Sequence, residues 1–142
     1  LLGYDIFPIS SEYAREVGMI TTDLNTLLAS SDFITCHIPI TKDTKHLINS
    51  ERLAIMKPSA FLINTSRGEV IDEEALLTAL STGKIAGAAL DVFEVEPPTN
   101  KNLLEMPNLI STPHIAAQTK EAQELASIVI AEKIIQITRG VI

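Results

Sequence analysis

The sequence alternates between short apolar runs and amphipathic stretches of helical periodicity, and this alternation limits the folds open to it. The apolar runs predict strands over Leu1–Phe7, Met19–Thr21, Asp32–Ile38, Ala60–Thr65, Ile85–Leu90 and Leu109–Ser111. The stretches between them predict helices over Ser10–Val17, after Asp23, over Ser50–Met56, from Asp72 to Leu80, and from about Thr119 to Thr138. Near-continuous apolar strands that alternate with helices are typical of an α/β fold with a doubly wound parallel sheet, covered by helices on both faces.

Local signals support the helix boundaries. Asp23 and Asp72 are predicted N-caps, and Gly83 is a predicted C-terminal cap. Seven apolar residues of the last helix recur at helical spacing and predict one apolar stripe, formed by Ala122, Leu125, Ala126, Val129, Ile130, Ile134 and Ile137. The stretch Pro97–Asn100 is the most loop-like part of the sequence.

Composition disfavours several kinds of partner. The formal net charge is −7, and an acidic surface repels the phosphate backbone of nucleic acids. No segment contains the roughly 18 consecutive apolar residues that a membrane span needs. The single cysteine, Cys36, lies in an apolar run, so we interpret it as a core residue in a chain from a reducing, cytoplasmic compartment.

Polar and ionisable residues stand where the predicted strands end. Ligands of open α/β sheets bind beyond the carboxyl ends of the strands, so these residues are candidates for a binding site. They are Asp5, His37-Ile38-Pro39, Thr65-Ser66-Arg67-Gly68, Asp91 and His114.

Asp5 and Arg67 each have a functional and a structural interpretation. A carboxylate at Asp5 can accept both hydroxyls of an adenosine ribose, but an aspartate there also favours a turn. The guanidinium of Arg67 matches a carboxylate ligand in shape and charge. Its alternative is a surface ion pair, for instance with Glu69 or Asp72.

Glu96 and His114 are a candidate acid–base pair. A neighbouring carboxylate stabilises an imidazolium, which suits proton exchange near neutral pH. Glu96 precedes two stiff prolines, and His114 follows a predicted strand directly. The alternatives are a solvated loop acid and a hydrogen-bonded structural histidine.

Other common site types are disfavoured. The three histidines and one cysteine lack metal-site spacing, so we expect no metal. His37 is placed to pack near a cofactor, whereas His46 lies in a polar loop and is expected to be solvated. The glycines never form G-x-G-x-x-G, and neither a P-loop nor a Ser-His-Asp arrangement is present.

Three long motifs, in order, carry a resemblance to one family. Asn64–Leu76 (NTSRGEVIDEEAL) resembles the arginine signature of D-2-hydroxyacid dehydrogenases, Ala88–Pro97 (AALDVFEVEP) their glutamate signature, and Thr112–Ala122 (TPHIAAQTKEA) their histidine signature. His37–Thr41 (HIPIT) also has a counterpart there. Within the family, the C-terminal part is most similar to phosphoglycerate dehydrogenases.

The resemblance implies a role for each candidate. Arg67 would bind the substrate carboxylate, His114 would exchange a proton with the oxygen on C2, and Glu96 would hold His114. The resemblance also implies NAD as the cofactor. Its expected contacts are Asp5, Ile38, Thr65, Ser66, Arg67, Asp91, His114 and Ala117, with Asp91 at the nicotinamide carboxamide and Asp5 at the adenosine ribose.

One departure from the family affects the expected domain content. In the family, a glycine-rich phosphate loop lies on a strand–turn–helix just before the strand that ends at Asp5. We therefore interpret residues 1–142 as a partial NAD-binding domain of Rossmann type, without its first strand, its phosphate loop and the substrate domain. The expected partners are a small 2-hydroxy or 2-keto acid and a second copy of the chain in a homodimer.

Several alternatives to this interpretation stay open. One is a non-catalytic dehydrogenase-fold module that binds protein. Another is an inactive remnant that self-associates through exposed sheet edges. Formate dehydrogenases pair their histidine with glutamine, so Glu96 disfavours that group, whereas glyoxylate and hydroxypyruvate reductases remain candidates.

The absent phosphate loop leads to a prediction about cofactor affinity. Without its N–H donors for the pyrophosphate, we expect the 142-residue chain alone to bind NAD weakly or not at all, and to show no detectable turnover. Isothermal titration calorimetry with NAD measures the affinity, and a micromolar dissociation constant would contradict the expectation.

Overall fold

The computed structural model describes residues 1–140 and contains two parallel sheets. Strands β1 (Leu2–Gly3) and β2 (Ile20–Thr21) form one sheet. Strands β3 (Phe33–Cys36), β4 (Phe61–Asn64), β5 (Gly87–Leu90) and β6 (Leu109–Ser111) form the other, side by side in chain order. Every strand pair is parallel, so the predicted parallel α/β fold is confirmed.

Residues 1–140 also contain six α-helices and one short 3₁₀ helix, and all but the last α-helix lie between strands in the chain. The α-helices are α1 (Ser11–Glu16), α2 (Leu24–Ser30), α3 (Ser50–Ile55), α4 (Glu73–Ser81), α5 (Lys101–Leu104) and α6 (Lys120–Thr138), and the 3₁₀ helix is Gly68–Val70. Asp23 and Asp72 cap α2 and α4 as predicted, each carboxylate accepting a backbone N–H three residues on. Gly83 has a φ of 66°, the left-handed conformation expected after the end of a helix.

The core lies on one face of the four-stranded sheet. Side chains that point to this face from β3, β4 and β5 are buried, among them Ile34, Leu62 and Leu90. Leu28 of α2, Leu53 of α3 and Leu76 of α4 belong to the same apolar cluster. Helices α2, α3 and α4 therefore cover this face of the sheet.

The opposite face of the sheet corrects one prediction. Helices were expected on both faces, but Phe33, Phe61 and Ile110 on the second face are 72, 42 and 70% exposed. The rings of Phe33 and Phe61 stack on each other, with centroids 5.5 Å apart. The strands therefore alternate between buried and exposed residues, as in a sheet with one covered face.

Helix α6 corrects a second prediction. Its position agrees with the sequence, but none of its residues is buried. Its apolar side chains do not form one packed stripe. Ile128 and Ile135, which are not part of the predicted stripe, are apolar as well, and both are about half exposed. Periodicity identified this helix correctly, whereas burial depends on a partner surface that residues 1–140 do not supply.

The first strand and α5 also differ from prediction. The strand expected over Leu1–Phe7 is only two residues long, because the Asp5 carboxylate accepts the Phe7 N–H at 2.8 Å and turns the chain. Helix α5 begins directly after the stretch predicted as loop, with Asn100 as its N-cap. Between β1 and β3 lies a cavity of about 260 Å³ lined by Leu2, Ile34 and Ile38.

Cys36, the last residue of β3, is buried, as predicted. Burial raises the pKa of its thiol to about 11.

Within residues 1–140, none of the helices combines the length and apolar character that crossing a membrane requires.

We predict that Leu76→Ala destabilises the fold strongly. Leu76 is fully buried in α4 at the centre of the core cluster, so its removal leaves a cavity that costs roughly 2–5 kcal/mol. Urea denaturation measures the free energy of unfolding. The control Ile55→Ala removes a 41% exposed side chain and should cost much less, and equal losses at both sites would contradict this description of the core.

Candidate active site

Three of the predicted site residues share one cavity. Arg67, Glu96 and His114 line a cavity of about 250 Å³ together with Gly68 and Phe93. The three residues come from the segments that follow β4, β5 and β6. The structure thus brings together side chains that lie far apart in sequence, at the carboxyl edge of the sheet.

The turn after β4 is organised by Asn64. Its side chain is completely buried, its amide donates to the Arg67 carbonyl at 2.9 Å, and its oxygen accepts the Ser66 backbone N–H at 3.0 Å. These bonds fix the backbone that presents Arg67. The guanidinium itself is exposed and donates to the Ser66 carbonyl at 2.6 Å.

The ion pair considered for Arg67 does not form. Neither Glu69 nor Asp72 pairs with it, and Asp72 caps α4 instead. No acidic side chain within residues 1–140 forms a salt bridge with the guanidinium. The guanidinium therefore keeps donors for an anionic ligand.

Gly68 brings the arginine turn against the glutamate segment. A Cβ atom at this position would lie 1.9 Å from the Phe93 carbonyl carbon and 2.5 Å from the Glu94 nitrogen. Any side chain here would push the two segments apart. The glycine is thus required by close approach of two backbones, since its φ is not in the left-handed region.

The turn that carries His114 is held by the buried carboxylate of Asp91. One oxygen accepts the Thr112 hydroxyl and the Ile115 N–H (2.9 Å), and the other accepts the Ala116 N–H at 2.8 Å. The Asp91 carbonyl also accepts the His114 N–H at 2.9 Å. These bonds stabilise His114 at a φ of 55°, a conformation that costs free energy for a residue other than glycine.

These contacts define the charge state of Asp91. Burial alone raises its pKa, but the hydrogen bonds from Thr112, Ile115 and Ala116 outweigh burial, so that the pKa lies below its ordinary value. A carboxylate offers about four acceptor positions, and the protein uses three of them. The oxygen that binds Ala116 accepts no second hydrogen bond within residues 1–140.

Glu96 and His114 form the predicted pair. Glu96 Oε2 lies 2.8 Å from His114 Nδ1, and Glu96 Oε1 accepts the Phe93 N–H at 3.2 Å. The hydrogen bond to His114, followed by that to Phe93, lowers the pKa of Glu96. The pair is half exposed, and no residue among 1–140 forms a hydrogen bond with Nε2 of His114.

The other predicted cofactor contacts lie at three places along the same edge. Asp5 and Ile38 line the cavity between β1 and β3. Thr65 is exposed and Ser66 half-buried at the end of β4, and Ala117 is exposed one residue beyond the Ala116 N–H that binds Asp91. The Asp5 carboxylate keeps acceptor capacity, since Phe7 N–H occupies a single position on Oδ1.

The remaining histidines behave differently from each other. His37 is exposed, with Nε2 2.9 Å from the Thr35 hydroxyl. His46, expected to be solvated, instead lies 3.1 Å from a Glu94 carboxylate oxygen and is half-buried. A search of residues 1–140 finds no group of histidine, cysteine and acidic side chains with the arrangement of a metal site.

Sequence reasoning missed the residues that support the site. Asn64, Thr112, His46 and Glu94 hold site segments through hydrogen bonds. A buried asparagine at a strand end is one signal that could identify such a support. The partner of His46 lies 48 positions away in sequence, so no local pattern predicts it.

The fold and site together define a Rossmann-like dehydrogenase domain. The D-lactate dehydrogenase of Aquifex aeolicus, solved with NAD and lactic acid, superposes with a TM-score of 0.83 and 38% identity, covering 98% of this chain and 46% of that one. The D-3-phosphoglycerate dehydrogenase of Methanocaldococcus jannaschii is 47% identical over 99% of this chain and 27% of its own. The glyoxylate reductase of Thermococcus litoralis is 47% identical over 91% and 39%.

A protein-family profile completes the comparison. Residues 1–116 match the NAD binding domain of D-isomer specific 2-hydroxyacid dehydrogenases. The chain therefore belongs to this family, and the resemblance, the NAD cofactor and the oxidoreductase class are confirmed at the level of the family. The chain spans roughly a quarter to less than half the length of these relatives.

We predict that Asp91→Asn destabilises the fold at neutral pH by about 2–3 kcal/mol. The amide nitrogen cannot accept a backbone N–H, and hydrogen bonds to a charged acceptor are worth about 1.5–3 kcal/mol each. Because folding lowers the pKa of Asp91, its stabilisation is complete above the unfolded value of about 3.9 and is lost as the pH falls through the folded value.

Urea denaturation between pH 3 and pH 7 tests this dependence. The stability difference between the chain and Asp91→Asn should shrink at the acidic end. The control Asp43→Asn changes an exposed carboxylate that accepts no hydrogen bond within residues 1–140 and should have little effect. A stability difference that stays constant with pH would count against stabilisation by the charged Asp91 carboxylate.

Proposed function

We propose that this chain supplies the catalytic and cofactor-binding part of an NAD-dependent D-2-hydroxyacid dehydrogenase. The observation that carries the proposal is the single cavity lined by Arg67, Glu96 and His114. It combines an unpaired cation with an imidazole–carboxylate pair, the two elements needed to bind a hydroxy acid and to move its proton.

Arg67 binds the substrate carboxylate. Its guanidinium has no acidic partner among the described side chains, and its planar fork matches a carboxylate through two parallel hydrogen bonds. The bidentate contact also orients C2 of the substrate toward His114. Asn64 holds the turn in place, because its side chain binds the Ser66 N–H and the Arg67 carbonyl.

His114 exchanges the proton of the substrate oxygen. Glu96 accepts a hydrogen bond from the Nδ1–H of His114. Nε2 is then the acceptor for the hydroxyl proton during oxidation. The imidazolium that results is stabilised by the Glu96 carboxylate, whose own pKa is lowered by the same hydrogen bond. In the reverse direction Nε2 returns the proton to the oxygen of the 2-keto acid.

The residues at the sheet edge fit NAD. Asp91 retains one acceptor position for a carboxamide N–H, and Asp5 retains acceptor positions for ribose hydroxyls, which favours NAD over its 2′-phosphorylated form. Ile38, Thr65, Ser66 and Ala117 complete the contact set. These residues would hold NAD, which would supply the hydride acceptor for C2 of the hydroxy acid, so that proton and hydride together would account for the two-electron oxidation.

The substrate is a small 2-hydroxy or 2-keto acid, with the hydroxy acid 3-phosphoglycerate first and the keto acid glyoxylate second. Relatives named D-3-phosphoglycerate dehydrogenase match 93–99% of this chain at 46–51% identity, and relatives named glyoxylate reductase match 87–92% at 45–52%. The proposed setting is cytoplasmic, which fits the free, buried Cys36. A homodimer without nucleic acid or membrane partners completes the proposal.

A chimera tests the proposed roles directly. This chain replaces the matching 141-residue stretch of the Methanocaldococcus jannaschii enzyme, and NADH formation from 3-phosphoglycerate is measured. Arg67→Ala should raise KM by roughly 10–100-fold, because the hydrogen bonds to a charged partner are worth about 1.5–3 kcal/mol. His114→Asn should lower kcat by roughly 10²–10⁴-fold, the usual contribution of a general base.

Matched controls separate these effects from damage to the fold. Lys42→Ala removes an exposed cation from a neighbouring loop and should leave KM unchanged, and Arg67→Lys should recover only part of the affinity because ammonium cannot form the planar fork. A folded chimera that retains full activity without His114 would refute the proposed acid–base role.

A further inference from the structure

His46 is held in an unusual conformation by contacts to two segments. Its φ of 49° lies in the left-handed region, which is uncommon for residues other than glycine and which asparagine, aspartate and histidine adopt more often than the rest. Its backbone N–H donates to the Glu69 carbonyl at 2.7 Å, and its Nε2 lies 3.1 Å from Glu94 Oε2. The loop after β3 is thereby tied to the segments that carry Arg67 and Glu96.

Glu94 and Glu73 bind each other through backbone and side chain in both directions. Glu94 Oε1 accepts the Glu73 N–H at 3.1 Å, and the Glu94 N–H donates to Glu73 Oε1 at 2.6 Å. Glu73 is the first residue of α4, where a carboxylate also interacts favourably with the helix dipole. The Phe93–Glu96 segment is therefore fixed to the start of a packed helix.

These contacts differ from ordinary surface ion pairs. The side chains of His46 and Glu94 are 37 and 29% exposed, and a pair of that exposure adds little stability by itself. Both oxygens of Glu94 are nevertheless engaged by different elements, and its N–H is engaged as well. Such a set of bonds determines position more than it adds free energy of folding.

The next contact along the chain leads to the acid–base pair. Glu96 lies two residues beyond Glu94 and accepts the Phe93 N–H with one oxygen while the other binds His114. Gly68, beside Arg67, touches the backbone of Phe93 and Glu94 from the other side. A shift of Glu94 would displace Glu96 and the Arg67 turn together.

We propose that His46, Glu94 and Glu73 form a positioning clasp, which joins the segments after β3, β4 and β5 and holds the Glu96 carboxylate in line with His114. Glu94 also lines the cavity of Arg67, Glu96 and His114, but both its carboxylate oxygens are engaged by His46 and Glu73, so we assign the clasp residues a positioning role. The inference rests on the proposed acid–base role of Glu96 and His114 and assigns the support of that pair. A misplacement of about 1 Å at such a pair can lower a rate by roughly 100-fold.

The test uses the full 142-residue chain and measures the pKa of Glu96 by ¹³C NMR of its side-chain carboxyl. In the wild type the hydrogen bond from His114 lowers this pKa. Glu94→Ala should raise it by about half a pH unit or more, toward its ordinary value of about 4.3, because Glu96 is no longer held against the imidazole. A ¹⁵N–¹H spectrum shows whether the variant is folded.

Glu94→Gln is the matched control. It removes the same negative charge, but its amide oxygen accepts the Glu73 N–H and its amide nitrogen donates to His46. The pKa of Glu96 should therefore stay close to the wild-type value in this variant. The difference between the alanine and glutamine variants measures position separately from charge.

His46→Asn keeps the test decisive if Glu94→Ala does not fold. Asparagine tolerates the left-handed conformation but is too short to reach Glu94. It should raise the pKa of Glu96 in the same direction by a smaller amount. An unchanged pKa in a folded variant that lacks the Glu94 or His46 contact, or an equal change in Glu94→Gln and Glu94→Ala, would overturn the clasp.

This outcome is independent of the proposed reaction. The carboxyl titration needs no substrate and no NAD, so the clasp can be supported even if the chimera with 3-phosphoglycerate is inactive. An active chimera combined with an unchanged Glu96 pKa in Glu94→Ala would reject the clasp and leave the proposed function standing.

Discussion

The buried carboxylate of Asp91 is the interaction on which the geometry of the site depends most. Asp91 directly follows β5. Its side chain accepts hydrogen bonds from three donors in the segment after β6, and its backbone carbonyl accepts the His114 N–H. A buried charge is tolerated only when hydrogen bonds replace its hydration. The same bonds that stabilise the charge therefore force the chain around His114 into a left-handed turn and bring the imidazole to Glu96.

A consequence is that the bonds that hold the histidine turn do not saturate the Asp91 carboxylate. They occupy three of its roughly four acceptor positions. Arg67 is arranged in the opposite way, since Asn64 fixes only its backbone and leaves the guanidinium without an acidic partner within residues 1–140. The buried polar groups position the segments, and the exposed ones are left to bind.

The sequence predicts the repeating α/β elements and three residues that line one cavity, because these predictions depend on local signals. Each apolar run, each N-cap such as Asp23 or Asp72, and each of the three motifs is recognised from a few neighbouring positions. Their meeting in one cavity follows from parallel strands that end at the same edge. The pairing of His46 with Glu94 could not be predicted, because it depends on how two loops 48 residues apart come into contact.

Burial was the least predictable property, and α6 and the second face of the sheet show why. The apolar periodicity of Val129, Ile130 and Ile134 predicts a helix irrespective of what covers it, whereas burial depends on a second surface. Phe33 and Phe61 show the same for strands: they stack on each other and remain exposed, although both occupy apolar positions. The geometry of the site does not depend on a second surface, because Asn64, Asp91 and Glu96 are held by hydrogen bonds within the described residues. Its geometry is therefore set by the covered face and the loops, and it does not require cover on the other face.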